Sequence, residues 1–370
     1  MKIAWSVGEA SGDVIAASML SKFPGNVEHL GVAGPMMRKF NINVFQNQER
    51  LAVMGILDVV LDLPFFIKYL ARWKAYLIKE KPNLLICVDY PGFNLKLQKF
   101  ARQLGIAVLV IAPPQIWAWK QNRFKNYQSV GVVCLFDFEK KKWDEVGIQA
   151  HYFGHPSVEI AILQKAESIK GQKGQKADLD LLLCPGSRIK SAKRNLETYL
   201  KLLDSIKKNT DTNPGKVGVL FPNLEIQTNL IIEFPQLNEL YQYVLTQDDY
   251  PKANLAWTSL GTNTLELSLR HIPQIVIHKL DILTYLIGRA FVKTKLFALP
   301  SILCERKVVE EIIFNKIKIS ELARRVQTQS QCETKQLEDY QVLTHSLGMN
   351  QDQFMFSSQC VKWILRTYRG

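Results

Sequence analysis

The run Leu84-Leu85-Ile86-Cys87-Val88 stands between Asn83 and an Asp89-Tyr90-Pro91-Gly92 turn, and it constrains the fold more than any other stretch of the chain. A strand with one wet face alternates apolar and polar residues. A short unbroken apolar run instead reads as a strand covered on both faces, as in a parallel sheet with helices above and below. That expectation puts the chain in the α/β class. In open sheets of this kind ligands gather outside the carboxyl ends of the strands, and Asp89 directly follows Val88. A carboxylate there serves either as an acid-base group in a crevice or as the N-cap of the next helix. The local sequence leaves both open.

The same alternation continues along the first half. Strands are expected over 2–7, 27–31, 84–88, 106–112, 131–136 and 150–154, with helices over 11–23, 65–80, 93–103 and 138–145. From Ala166 to Asp178 a Lys-Gly-Gln tract carries no apolar period and reads as a solvated loop. Strands then resume at Leu179–Cys184, Val217–Phe221, Tyr243–Thr246, Asn254–Trp257 and Gln274–His278, with helices near 190–206, 262–270 and 281–292. After about 307 only helical segments are expected, and the last, with Val361, Ile364 and Leu365 on one face, is expected to pack back on the first domain. The expected division is an α/β domain over 1–160 completed by about 345–370, and a second over 161–344, which suits a chain of 370 residues.

Bulk properties narrow the partners. A formal net charge of +13 calls for an anionic one, so phosphorylated small molecules, nucleic acid and an acidic lipid surface are all admissible. No recognisable nucleic-acid motif accompanies the charge. The six cysteines form no C-x-x-C pair and read as thiols in a reducing compartment, with neither a zinc site nor a disulfide framework expected. No uninterrupted apolar stretch reaches the roughly 18 residues of a spanning helix, and the first residues lack a secretory apolar region.

Several stretches carry chemistry. Gly8-Glu9-Ala10-Ser11-Gly12-Asp13 joins a strand to a helix, where free backbone N–H groups suit a phosphate or sugar, or where Ser11 or Asp13 simply caps the helix. It is not the dinucleotide fingerprint G-x-G-x-x-G. Farther on, Phe65, Phe66, Tyr69 and Trp73 are interleaved with Lys68, Arg72 and Lys74, the composition of a helix resting in a lipid interface, or of a core helix with a basic outer face. Trp117 and Trp119 beside Lys120, Arg123 and Lys125 suit a ligand with a sugar or acyl surface and a phosphate. His155, in Gly154-His155-Pro156, either faces a cleft or shapes a turn.

In the second domain Pro185-Gly186-Ser187-Arg188 follows a strand. Turn amides at a helix start, joined by a guanidinium, match the oxygens of a diphosphate. Gly261, Thr262, Asn263 and Glu266 stand at a second strand-to-helix junction. Two such turns in one domain point to a nucleoside diphosphate.

Taken in order, Gly8-Glu9-Ala10-Ser11-Gly12-Asp13, Gly31-Val32-Ala33-Gly34-Pro35-Met36, Met54-Gly55, Asp89-x-Pro91-x-Phe93-Asn94, Pro114-x-x-Trp117-Ala118-Trp119, Gly154-His155-Pro156 and Pro185-Gly186-Ser187-Arg188 resemble the lipid-A-disaccharide synthase family, from residue 3 to about 315. The resemblance implies a GT-B glycosyltransferase, with two Rossmann-like domains facing across a cleft, the first for an acylated acceptor and the second for a UDP-sugar. It implies an inverting reaction without metal or other cofactor, which joins UDP-2,3-diacylglucosamine to 2,3-diacylglucosamine 1-phosphate in lipid A biosynthesis and releases UDP. The protein would be cytoplasmic and peripheral on the inner membrane, and because some relatives dimerise through their C-terminal parts a homodimer is admissible.

The family's essential aspartate falls on Asp89 and its donor-side arginine on Arg188. Gly186, Ser187, Gly261, Thr262, Asn263, Glu266 and Glu311 complete the implied donor side. Ser11, Gly12, Asp13, Asn94, Trp117, Trp119, Lys120, Arg123 and His155 form the implied acceptor side, and Phe65, Phe66, Tyr69 and Trp73 the membrane contact. Gly92, Ser191, Leu260, Ser301 and Phe314 depart from the family's usual Asp, Glu, Ser, Asn and Gln. Those departures leave open a different UDP-sugar donor, or a relative that binds lipid or nucleotide without turnover.

Overall fold

The computed structural model describes residues 1–52, 63–114, 121–169, 179–209, 215–245, 250–282, 284–285, 295–329, 333–348 and 355–368. The chain forms two compact units, Met1–Glu159 with Gln351–Gly370, and Ile160–Asn350. Among the described residues no helix is long and apolar enough to cross a membrane.

In the first unit, β1 (Lys2–Val7), β2 (Glu28–Ala33), β3 (Asn43–Asn47), β4 (Leu84–Val88), β5 (Ala107–Ile111), β6 (Gly131–Cys134) and β7 (Ala150–Tyr152) form a parallel sheet in the order β3-β2-β1-β4-β5-β6-β7. Its helices are α1 (Ala10–Leu20), the short α2 (Glu49–Ala52), α3 (Leu63–Glu80), α4 (Pro91–Gln103) and α5 (Asp137–Glu145), while α6 (Pro156–Ile169) starts in this unit and continues past Glu159 into the second. All five residues of β4 are fully buried, because helices cover both faces. On one face Leu85, Cys87 and Val108 meet Tyr69, Trp73 and Leu77 of α3 and Leu97 of α4.

On the other face Ile3, Trp5, Ile86 and Val88 meet Ile15 and Met19 of α1, together with Phe356, Cys360, Val361 and Ile364 of the C-terminal helix, Phe356–Thr367. The returning helix is therefore part of this core. Its start is fixed by Glu159, whose buried carboxylate accepts from the Ser357 backbone N–H at 2.8 Å and hydroxyl at 2.5 Å. Winding proceeds outward from β1 to β3 and then reverses to β4. The reversal lies between β1 and β4, whose last residues Val7 and Val88 are partners.

The second unit repeats the plan. Strands β8 (Leu179–Cys184), β9 (Val217–Phe221), β10 (Tyr241–Val244), β11 (Ala253–Thr258), β12 (Gln274–Lys279) and β13 (Glu310–Phe314) run parallel in the order β10-β9-β8-β11-β12-β13. With them come α7 (Ile189–Asn209), α8 (Leu224–Glu233), α9 (Asn263–Leu269), α10 (Leu299–Leu303), α11 (Ile319–Gln329) and α12 (Glu333–Ser346), which makes the returning helix α13. Here the reversal lies between β8 and β11, where Cys184 pairs with Thr258.

Several sequence expectations are corrected. Strands do not stop near 307, because β13 forms the edge of the second sheet against β12. Two leading glutamates hide it in the sequence. The loop expected from Ala166 begins later, since α6 runs through Ile169, while 170–178 lie outside the described residues. Edge strand β3 was not anticipated, because Asn43-Val44-Phe45-Gln46-Asn47 has polar ends and only half-buried apolar residues. Most of the helix expected over 281–292 lies outside the described residues, as does Thr246 of the expected strand 243–246.

Candidate active site

A ligand crevice opens where the winding of an open α/β sheet reverses. Asp89 follows β4 at that point in the first sheet. Asp89 and Tyr90 both hold left-handed backbone, φ 49° and 54°, a conformation rare outside glycine and concentrated at functional turns. The turn is braced on each side. Asp89 N–H donates to the Ile111 carbonyl at 2.9 Å. The buried Asn94 donates from Nδ2 to the Asp89 carbonyl at 2.6 Å, and its Oδ1 accepts from Ser6 Oγ at 2.6 Å.

Asn94 thus ties the end of β1 to the end of β4. One donor and one acceptor site of its amide are engaged by the frame, so it positions the Asp89 turn. The N-cap of α4 is Tyr90, with Pro91 in the first turn, so Asp89 stands one residue ahead of the cap, half-buried. Gly8 is required beside it, since a Cβ there would overlap the Tyr90 ring.

The glycine turn after β1 is built mainly for packing. A Cβ on Gly12 would lie 3.1 Å from Val7 Cγ1 and 3.4 Å from Val88 Cγ1, so the glycine lets α1 approach the strand ends. Asp13 is 1% exposed, and its carboxylate accepts from the backbone N–H groups of Gly34, Met36 and Met37 at 2.9, 2.8 and 3.1 Å. Burial pushes its carboxyl pKa up while those three bonds pull it down. It holds the 34–37 loop and does not cap α1, whose N-cap is Glu9. Ser11 is half-buried in the first turn of α1.

His155 is also structural. It is 2% exposed, stacks on Phe136 at 4.9 Å, and accepts the Ser157 N–H on Nδ1 at 3.0 Å at the start of α6. Burial lowers its pKa to about 3. Trp117, Trp119 and Lys120 lie outside the described residues, and so does the side chain of Arg123.

Helix α3 divides the expected membrane set. Tyr69 and Trp73 are 2% and 0% exposed, and the Trp73 indole N–H donates to the Tyr69 hydroxyl at 2.8 Å. They belong to the core because every fourth position faces the sheet. Phe66 is half-buried against the same core, whereas Phe65 is 37% and Ile67 59% exposed. Of the interleaved cations, Arg72 lies over the Phe45 ring and Lys74 over the Phe100 ring, while Lys68 is exposed.

In the second sheet the reversal carries two turns. Gly186 (φ 114°) approaches Ser259, whose Oγ would stand 2.8 Å from a Cβ at 186, and Ser187 and Arg188 are exposed ahead of α7. After β11, Gly261 (φ 149°) faces open space and Thr262 is the N-cap of α9. Asn263 is engaged by the frame, accepting from the Tyr250 hydroxyl at 2.8 Å and donating to Thr258 Oγ1 at 3.3 Å. Glu266 is half-buried one turn farther along α9. Glu311 accepts from the N–H groups of Phe297 and Ala298 at 2.9 and 3.0 Å, so it secures the start of α10. Burial pushes its carboxyl pKa up.

Two residues at this corner went unread in the sequence: His278, the last but one of β12, and Asn195, on α7. A polar residue closing an apolar strand could have signalled His278. Asn195 gave no signal, because a buried amide amid a helical apolar stripe acquires meaning only from the turns it reaches. The first unit thus carries Asp89 at its sheet reversal, and the second carries Arg188 beside the Gly186 turn at its own.

The chain is similar to the lipid-A-disaccharide synthase of Acinetobacter baylyi, 29% identical over 368 residues that cover 91% of this chain and 90% of that one. It is similar also to the lipid-A-disaccharide synthase of Chromobacterium violaceum, 30% identical over 348 residues, 88% and 87% of the two chains. In backbone it resembles the UDP-GlcNAc 2-epimerase of Methanocaldococcus jannaschii, with a TM-score of 0.58 over 99% of this chain and 100% of that one, at 14% identity, a likeness of fold alone. The family described as lipid-A-disaccharide synthetase matches residues 3–359. With two sheets wound in the same sense and a match over nearly its whole length, the chain belongs to the lipid-A-disaccharide synthetase family of GT-B glycosyltransferases.

Proposed function

We propose that this protein is an inverting lipid glycosyltransferase that joins UDP-2,3-diacylglucosamine to 2,3-diacylglucosamine 1-phosphate, forming the tetraacyl disaccharide 1-phosphate and UDP. The observation that carries this reading is the family match over residues 3–359, with Asp89 and Arg188 each at the reversal of a sheet. Asp89 takes the proton of the acceptor hydroxyl as that oxygen attacks the anomeric carbon of the donor. The bond from that carbon to the diphosphate breaks, and UDP leaves with the electron pair. Arg188 and the backbone N–H groups at Gly186 and Ser187 balance the charge that develops on the diphosphate. In this reading that balance needs no metal ion, so a chelator leaves turnover unchanged.

The acylated substrates reside in a membrane, and the exposed Phe65, Ile67 and Lys68 of α3 support peripheral attachment to the cytoplasmic face of an inner membrane. The test is UDP release and product mass with the two diacylglucosamine substrates. Asp89→Asn is expected to lower kcat by about 100- to 10,000-fold, the usual contribution of a general base. Normal turnover by Asp89→Ala would remove the assigned base. UDP binding without product would support a binding protein in place of an enzyme.

A further inference from the structure

The corner of the second sheet contains a buried connection that the helix bearing it does not need. Asn195 is 0% exposed in the second turn of α7, and its neighbours on that face, Ala192, Leu196 and Tyr199, are fully buried core. The amide instead reaches two backbone groups outside its own helix: Nδ2 donates to the Pro185 carbonyl at 2.9 Å, and Oδ1 accepts from the Lys279 N–H at 3.0 Å. Nδ2 also lies 3.4 Å from Nδ1 of His278, to which the Leu260 N–H donates, likewise at 3.4 Å. A backbone N–H can only donate, so Nδ1 is the acceptor and the imidazole carries its proton on Nε2. Burial, with the cations Arg194 and Arg188 nearby, lowers the His278 pKa to about 4 and keeps that neutral form.

Two side chains therefore join the segments following β8 and β11 to the last two residues of β12. We infer that Asn195 and His278 are positioning residues for the donor diphosphate, holding the 185–188 turn and the 260–262 turn in one fixed register so that Arg188 and the turn amides meet the same anion. The inference rests on the reading of the second unit as the nucleotide-sugar unit. Its physical basis is preorganisation: donors set before binding need no ordering when the anion arrives, and a displacement near 1 Å can cost about 100-fold.

The experiment uses the full chain with Asn195→Leu, His278→Leu and His278→Asn, the last placing an amide oxygen where Nδ1 stands. UDP affinity is measured by calorimetry, KM for donor and acceptor separately, and amide hydrogen exchange at Lys279. Asn195→Leu and His278→Leu are expected to weaken UDP and raise donor KM by about 10- to 100-fold with acceptor KM unchanged. His278→Asn is expected to restore most of the loss. Faster exchange at Lys279 in Asn195→Leu with UDP affinity within twofold of the parent would overturn the inference and leave a purely structural link. A parent chain that binds no UDP would overturn the donor reading and this role together, while the exchange result would still report whether the link exists. If Asn195→Leu does not fold, the His278→Leu and His278→Asn pair decides: equal UDP affinity in the two overturns the inference.

Discussion

Asp89 and Tyr90 hold a backbone conformation that costs residues other than glycine about 1–3 kcal/mol each, and the turn persists because Asn94 and the Ile111 carbonyl brace it. Gly92 contributes nothing to that bracing: it is exposed, and a Cβ there would meet nothing within 4 Å. It also lies in the first turn of α4, where a carboxylate is favoured by the unpaired N–H groups. Gly92→Asp is therefore expected to stabilise the protein by about 0.3–1 kcal/mol through the helix dipole, with a further gain from removing a flexible glycine. Urea unfolding checks the sign. The place of Asp89 was legible in the sequence, since an apolar run ending in Asp-x-Pro-Gly fixes a strand, a turn and a helix start. The divergent roles of Asp13 and Asn94 were not, because the same carboxylate or amide reads as ligand or brace until its partners are known.

Helix α3 concentrates the same ambiguity in one element. Tyr69, Trp73 and Leu77 recur every four residues and are buried, while Phe65 and Ile67 point outward. Composition alone cannot separate these faces, and only the position of the first sheet assigns them. Trp73→Ala should destabilise by about 3–5 kcal/mol, the usual range for an aromatic removed from a core. Ile67→Ser, at a position 59% exposed, should move stability by no more than about 0.5 kcal/mol yet weaken sedimentation with anionic phospholipid vesicles, and vesicle binding equal to the parent's would remove this face from the membrane reading. Central strands were read readily because both their faces are covered. Edge strands β3 and β13 were not, since their polar or charged ends look like loop.

Across the whole molecule, buried histidines set an acid limit. Burial lowers His29 to about 4 and His155 to about 3, below the roughly 6.5 of an unfolded histidine. The unfolded chain therefore takes up protons first. The stability they confer is complete above about pH 6.5 and declines as pH falls toward those folded values. Thermal melts between pH 7.5 and 4.5 should show a falling midpoint, and His155→Asn, which keeps an acceptor for the Ser157 N–H, should flatten the slope; an unchanged slope would show that His155 does not contribute. At this scale the repeated α/β alternation announced two wound sheets, while the charge of +13 carries only the expectation of an anionic partner. The return of the final helix to the first unit was expected from its apolar face, whereas the individual residues it meets were not, because contacts at great sequence separation leave no periodic trace.

That separation has a consequence for biosynthesis. Glu159 and Ser357 are 198 residues apart, and Phe356, Cys360, Val361 and Ile364 complete one face of the sheet begun by Lys2–Val7. A ribosome emitting this chain releases the second unit whole before the first has its last layer. Until α13 has been made, Ile3, Trp5, Ile86 and Val88 are covered on that face by α1 without Phe356, Cys360, Val361 and Ile364, and the apolar surface left between them invites chaperone binding.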